Sequence, residues 1–123
     1  DSNFEAMMNG VSGIELHENP SLMNQSFYAA IINSIKLDKA FAKIESNPQF
    51  SKLEKMMILA LQPLITKQKV TKKSAFILST TKGNITTLSD SENTIEAAHL
   101  SMLAKKIALY FGFSTEPIVI SNE

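Results

Sequence analysis

The chain has 123 residues, of which 44% are hydrophobic and 20% charged, as expected for one globular domain or part of one. Twelve basic side chains balance twelve acidic ones, so the basic excess that nucleic-acid binding requires is missing. No cysteine is present, which excludes disulfides, thiolate metal sites and thiol nucleophiles within these residues.

No membrane or secretory segment is predicted. The apolar runs fall far short of the roughly 20 residues that a membrane span requires. The first residues, 1–3, are polar and acidic rather than signal-like. The sequence therefore predicts a cytoplasmic protein with neither a membrane nor a nucleic acid as partner.

The first third of the chain predicts two helices around a loop and an ambiguous apolar stretch. Residues 3–9 have helical spacing of their apolar side chains, and Gly10 stands where a C-terminal cap belongs. Residues 15–24 show no period, which predicts a loop. Residues 26–35 are apolar on most faces and fit either a strand or a helix, whereas residues 37–44 are predicted to be helical.

The clearest predicted helix runs from Ser51 to Gln68, after a boundary at Asn47 and Pro48. Its apolar side chains form one stripe, and Pro63 inside it predicts a kink or an early end. A strand over residues 74–80 follows. The next residues, 81–84, predict a turn in which a glycine supplies a positive φ.

The last third predicts a strand–helix–strand unit. Asn93 and Glu96 have capping-box spacing and open a helix that ends at Phe111, before Gly112. The strand at Ile118 comes next. The two strands that flank this helix should be parallel, with a right-handed crossover.

Few side chains suggest chemistry. His17 and His99 are the two histidines, and a lone histidine is usually structural. Glu54, Glu92 and Glu96 fall on predicted solvent-facing surfaces and do not form the paired carboxylates that acid–base catalysis uses. No catalytic, cofactor-binding or metal-binding residue is therefore assigned, and no cofactor is expected.

Two further groups of side chains are predicted to be structural. The methionine pairs at positions 7–8 and 56–57 are predicted to fill the core. The lysines at positions 67, 69, 72 and 73 are predicted to be a solvated surface, with a phosphate- or carrier-protein-binding patch as the alternative.

The end of the chain is its most informative part. Three β-branched residues, 118–120, follow Pro117 and give way to the turn-forming Ser121 and Asn122. A buried strand of this kind needs neighbours on both edges. We therefore expect a fragment of a larger α/β protein that ends just before its reactive site.

Four segments, taken in order, resemble the N-terminal half of a β-ketoacyl-acyl-carrier-protein synthase, a condensing enzyme of the thiolase-like fold. Residues 4–14 (FEAMMNGVSGI) are similar to the family's F-x-x-L-x-x-G-x-S-G-I segment, with methionine in place of the usual leucine. Residues 50–61 resemble its long helix, and residues 76–84 its next strand and turn. Residues 110–122 look like the run that leads into the nucleophilic cysteine.

The resemblance implies that residues 1–123 are part of the N-terminal domain of an α/β, thiolase-like fold, with several helices plus the βαβ unit. The family's first strand and its catalytic portion, which begins with the nucleophile helix, would be absent. The parent would be an acyltransferase that elongates acyl chains by decarboxylative Claisen condensation in fatty acid or polyketide synthesis. Its cysteine at a helix N-terminus and its two histidines would lie outside this chain, which implies that the fragment alone is inactive.

Two sets of residues receive roles from this resemblance. The loop expected to border the acyl pocket consists of Thr81, Lys82, Gly83, Asn84 and Ile85. The strand expected to pair across a homodimer or heterodimer consists of Ile118, Val119, Ile120 and Ser121. The implied partner of the parent enzyme is an acyl carrier protein.

Two alternatives remain open at this point. Glu123 stands where the family usually has a small residue, and a carboxylate beside a thiolate would disfavour ionisation of the thiol. The parent could therefore be a non-catalytic partner subunit of the chain-length-factor type. The chain could also be a small α/β interaction module with no enzymatic parent.

Overall fold

The computed structural model describes residues 2–47, 49–85, 88 and 98–121, which divide into two compact units, 1–33 (unit 1) and 34–123 (unit 2). This part of the chain is a small mixed α/β protein with four helices and two two-stranded sheets. In chain order the elements are α1 Ser2–Met8, β1 Glu15–His17, β2 Phe27–Ala29, α2 Ser34–Phe41, α3 Lys52–Lys67, β3 Ile77–Ser79, α4 Leu100–Tyr110 and β4 Ile118–Ile120.

Unit 1 consists of α1 and a hairpin. The predicted first helix is confirmed, and the chain leaves it through Gly10 at a φ of 65°. β1 and β2 pair antiparallel, with Leu16 opposite Tyr28. The predicted loop over 15–24 is therefore wrong at Glu15–His17, because a three-residue strand defined by a distant partner shows no period of its own. The ambiguous stretch 26–35 is a strand only at β2.

None of the described side chains of unit 1 is fully buried. Met7 and Met8 are 78% and 72% exposed, so their predicted burial is wrong. α1 has only seven residues, too few to bury both methionines against its own unit. In unit 2, by contrast, Met57 packs against the core as predicted.

The core lies in unit 2 between α3 and α4. Its largest fully buried apolar side chains are Ile58 of α3 with Leu103 and Ile107 of α4. The predicted helix from Ser51 to Gln68 is confirmed as α3, which continues past Pro63 to Lys67. The predicted early end does not occur. Pro63 is exposed and removes only one backbone hydrogen bond, and the packing of the rest of the helix is kept.

The predicted parallel pairing is confirmed: β3 and β4 run parallel on either side of α4 in sequence, with Leu78 opposite Val119. These two side chains pack against the core. The predicted helix end is confirmed too, because Gly112 follows α4 with a φ of 74°. The predicted capping box at Asn93 and Glu96 lies outside the described residues, as do Pro48 and Glu92.

Candidate functional site

A cluster of interacting polar side chains joins the start of α3, the turn after β3 and α4. At its centre is the carboxylate of Glu54, which is 4% exposed. Glu54 Oε2 accepts hydrogen bonds from the Ser51 amide at 2.8 Å and from Lys106 Nζ at 2.7 Å, and Oε1 accepts one from Asn84 Nδ2 at 2.8 Å. Three hydrogen bonds, one of them from the Lys106 cation, thus compensate the burial of this charge.

The prediction that Glu54 faces solvent is wrong. Its side-chain partners Asn84 and Lys106 lie 30 and 52 residues further along the chain, so the local helical period could not reveal them. One local signal was present. Ser51 and Glu54 have capping-box spacing, and the reciprocal bond from the Glu54 amide to Ser51 Oγ is 3.2 Å long.

The turn after β3 is fixed by Gly83 and Asn84. Asn84 is 1% exposed, and its Oδ1 accepts a hydrogen bond from Ser51 Oγ at 2.7 Å. Gly83 has a φ of 52°, and its amide donates to Thr80 Oγ1 at 3.0 Å. A Cβ added at Gly83 would collide with the side chain of Leu100. The turn is therefore attached to both α3 and α4.

The Lys106 ammonium completes the cluster from α4. It also donates to the backbone carbonyl of Gln49 at 2.7 Å and lies 4.8 Å from the centroid of the Phe50 ring. In the described part of the chain, no buried side-chain nitrogen or oxygen lacks a hydrogen-bond partner. This cluster consequently holds three segments together, and its buried polar groups are paired with one another.

Tyr110 lies beside this cluster at the end of α4. Its ring meets that of Phe50 edge to face, with centroids 5.6 Å apart. Burial raises the pKa of the Tyr110 hydroxyl above its ordinary value of 10.0, and the negative charge of Glu45 raises this pKa further. The phenol is therefore a neutral group at physiological pH.

A cleft of about 560 Å³ opens between the turn after β3 and the start of α4. Of the residues predicted to border an acyl pocket, Thr81, Lys82 and Ile85 line it. Gly83 and Asn84 do not, because the first packs against α4 and the second is buried in the Glu54 cluster. The cleft is thus bounded by part of the predicted set.

The opposite wall of the cleft was not anticipated from the sequence. Among the described residues, it is formed by Ala98, His99, Leu100 and Ser101, at the beginning of α4, together with Leu88. His99 occupies the N-cap position of α4 but makes no side-chain capping hydrogen bond. No sequence pattern could bring these residues to the turn after β3, because the contact depends on how α4 packs.

The predicted dimer strand coincides with β4 and the residue after it. Within the described residues, β4 has β3 on one side and no strand on the other. Val119 faces the core, whereas Ile118 and Ile120 are 51% and 54% exposed on the opposite face. Ile77 of β3 is 57% exposed on that same face. Among the described residues, that face of the sheet is therefore uncovered, with three exposed isoleucines beside Ser79.

The two histidines lie in different units. His17 lies in β1 of unit 1, with Nε2 at 3.0 Å from the carbonyl oxygen of Ala29, and His99 lies in unit 2. Among the residues whose placement is described, no three His, Cys, Asp or Glu side chains are grouped as metal ligands. The four lysines between positions 67 and 73 are exposed, as predicted.

Comparisons with known proteins find no similar protein. No protein-family model, curated protein or solved structure matches the chain. A search of the described helices for one both long enough and apolar enough to cross a bilayer finds none. The proposals that follow depend on the sequence segments and on the geometry of each unit.

Proposed function

We propose that the chain is a scaffold segment of a 3-oxoacyl-acyl-carrier-protein synthase, which extends acyl chains by decarboxylative Claisen condensation. The observation that carries this proposal is the parallel β3–α4–β4 unit, whose second strand coincides with the segment that resembles the run into the nucleophilic cysteine. A turn after β4 would then present the nucleophile at the carboxyl edge of a parallel sheet, where α/β proteins commonly place ligand sites.

The uncovered sheet face supports a larger parent. Parallel sheets are normally covered on both faces, and here Ile77, Ile118 and Ile120 leave one face apolar and half exposed. A further layer of structure, supplied by the parent protein or by a partner subunit, would bury these side chains. Each would contribute roughly 0.8–1.5 kcal/mol, since about half of a side chain of this size is still to be buried.

In such an enzyme this chain would position the nucleophile turn and the acyl group. β4 would hold the nucleophile turn, and the cleft residues Thr81, Lys82 and Ile85 would border the acyl group. No cysteine occurs in the 123 residues, so the nucleophile and the two histidines that promote decarboxylation would have to come from other residues of the parent. An acyl carrier protein would deliver the substrate, and the free edge of β4 would pair in a dimer.

The reading frame beyond the codon for Glu123 provides the first test. The proposal requires a cysteine shortly after this codon, and two well-separated histidines in the sequence that follows. Replacement of that cysteine by alanine should abolish malonyl decarboxylation coupled to condensation, whereas Lys43→Ala, at an exposed position after α2, should leave it unchanged. A frame that stops at Glu123, or that continues without a cysteine, would refute the catalytic parent.

A further inference from the structure

We propose that Asn9 is a site of spontaneous deamidation, and that the hydrogen bonds at the end of α1 limit its rate. Asn9 and Gly10 form the one Asn-Gly pair in the sequence. The reaction converts the asparagine to isoaspartate or aspartate through a succinimide that includes the Gly10 nitrogen. This site lies in unit 1 and does not depend on the condensing-enzyme scaffold.

The Asn-Gly pair is accessible to water and sterically open. Asn9 and Gly10 are both exposed, and they directly follow α1. Among the described residues other than its two chain neighbours, no atom lies within 4 Å of where a Cβ on Gly10 would stand. Because glycine has no side chain, its amide nitrogen can approach the side chain of the preceding asparagine, which is a thermolabile residue. Room for the succinimide ring is therefore present.

The reaction needs only water and involves no oxidation or reduction. The Gly10 amide nitrogen gives its proton to a base in solution and attacks Cγ of Asn9. A bond between this nitrogen and Cγ forms, the bond between Cγ and Nδ2 breaks, and Nδ2 takes a proton from water and leaves as ammonia. One water molecule then opens the succinimide. Opening at the main-chain carbonyl gives isoaspartate, in which the backbone runs through the former side chain, and opening at Cγ gives aspartate.

The end of α1 engages the attacking nitrogen. The Gly10 amide donates to the carbonyl oxygen of Met7 at 3.1 Å. The Val11 amide donates to the carbonyl oxygen of Ala6 at 2.8 Å, which completes a Schellman motif around the φ of 65° at Gly10. The Gly10 amide must leave its acceptor before it can attack. α1 has only seven residues and no fully buried side chain among those described, so its end opens easily and the protection is small.

Deamidation in turn weakens the end of α1. Isoaspartate adds a methylene to the main chain, so the amides of Gly10 and Val11 no longer meet their carbonyl acceptors. Either product also places a negative charge at the C-terminus of a helix, where the helix dipole disfavours it. Glu5 lies four residues earlier in α1, and like charges at this spacing destabilise a helix. The product therefore keeps the end of α1 open.

Incubation of the 123-residue chain at neutral pH measures the rate, with isoaspartate located by peptide mapping and counted with an isoaspartyl methyltransferase. A peptide of residues 5–14 in the same buffer gives the unprotected rate. We expect isoaspartate to form faster at Asn9 than at the other asparagines, and about two- to tenfold more slowly than in the peptide, the factor for one backbone hydrogen bond. Asn9→Gln should abolish it at this position. Equal rates in chain and peptide, or isoaspartate mainly at other asparagines, would overturn the proposal.

A variant that loosens α1 tests whether the helix end limits the rate. Ala6→Gly lowers the helix propensity of α1 and leaves the Asn-Gly pair intact, so deamidation in the chain should become about two- to fivefold faster. The same substitution in the peptide should have no effect. Gly13→Ala, in open space outside α1, is the control and should leave the rate in the chain unchanged. An unchanged rate in the Ala6→Gly chain, or an equal increase in the peptide, would overturn the role of α1.

Discussion

Replacement of Lys106 by methionine tests whether the buried carboxylate of Glu54 depends on its cation. Methionine keeps most of the apolar stem over Phe50 and removes the ammonium. Loss of one member of a fully buried ion pair costs roughly 3–5 kcal/mol. Here the lysine side chain is 40% exposed and that of Glu54 only 5%, so water screens one partner. Glu54 also keeps its bonds from Ser51 and Asn84.

We therefore expect Lys106→Met to lower the free energy of unfolding by about 2 kcal/mol, the value of a charge-assisted hydrogen bond to a buried group. The measurement is urea denaturation followed by circular dichroism, with linear extrapolation to water. Glu54→Gln keeps the shape of the side chain and removes its charge. The loss of unfolding free energy in the double variant Lys106→Met/Glu54→Gln should be smaller than the sum of the two single losses by about 1 kcal/mol or more.

The neighbouring lysine of α4 provides a matched control. Lys105 forms an ion pair with Glu116 at 2.9 Å, but the two side chains are 47% and 74% exposed. Lys105→Met should therefore cost less than about 1 kcal/mol. Effects of Lys105→Met and Lys106→Met that agree within error, or a coupling of zero between Lys106 and Glu54, would refute the assignment of the Glu54 cluster as the polar link between α3 and α4.

Substitutions at a glycine, a proline and a tyrosine have separate expected outcomes. Gly83→Ala should lower the unfolding free energy by about 1–3 kcal/mol in the same urea titration, because its φ of 52° is strained for alanine. Gly13→Ala, at a position with open space around it, should have little effect. Equal losses in the two variants would contradict the strain assigned to Gly83. Pro63→Ala restores an amide to α3 and should raise the melting temperature, whereas a decrease would show that the proline is stabilising. In Tyr28→Phe, Tyr110 is the remaining tyrosine, and its absorbance titration should have a midpoint above 10.0. Because the pKa of Tyr110 is raised on folding, its contribution to stability is present below the unfolded-state pKa and is lost as pH rises through the folded-state pKa. A titration midpoint at or below 10.0 would contradict the argument that burial raises this pKa.

The elements of unit 2 could be predicted from the sequence because their signals are local. α3 has a long apolar stripe, and the strands that flank α4 have β-branched side chains beside turn-forming residues. Gly10, Gly83 and Gly112 mark helix ends or turns, and all three have a positive φ. A parallel pairing of β3 and β4 followed from the intervening helix alone.

The rest of the structure depends on contacts that no local pattern contains. β1 exists because Glu15–His17 pair with β2, and three residues are too few to show an alternation. Glu54 is buried because Lys106 and Asn84 reach it from distant parts of the chain. The cleft wall at the start of α4 is likewise a product of helix packing, so the sequence indicated only the turn on its other side.

Intact-mass measurement of the protein that continues past Glu123, after incubation with dodecanoyl-acyl-carrier protein, tests the proposed function most directly. The condensing-enzyme account predicts one added acyl group on a cysteine, prevented by prior treatment with iodoacetamide and absent from the 123-residue chain treated in parallel. No acyl adduct, or an adduct that forms equally well after the thiols are blocked, would contradict the account.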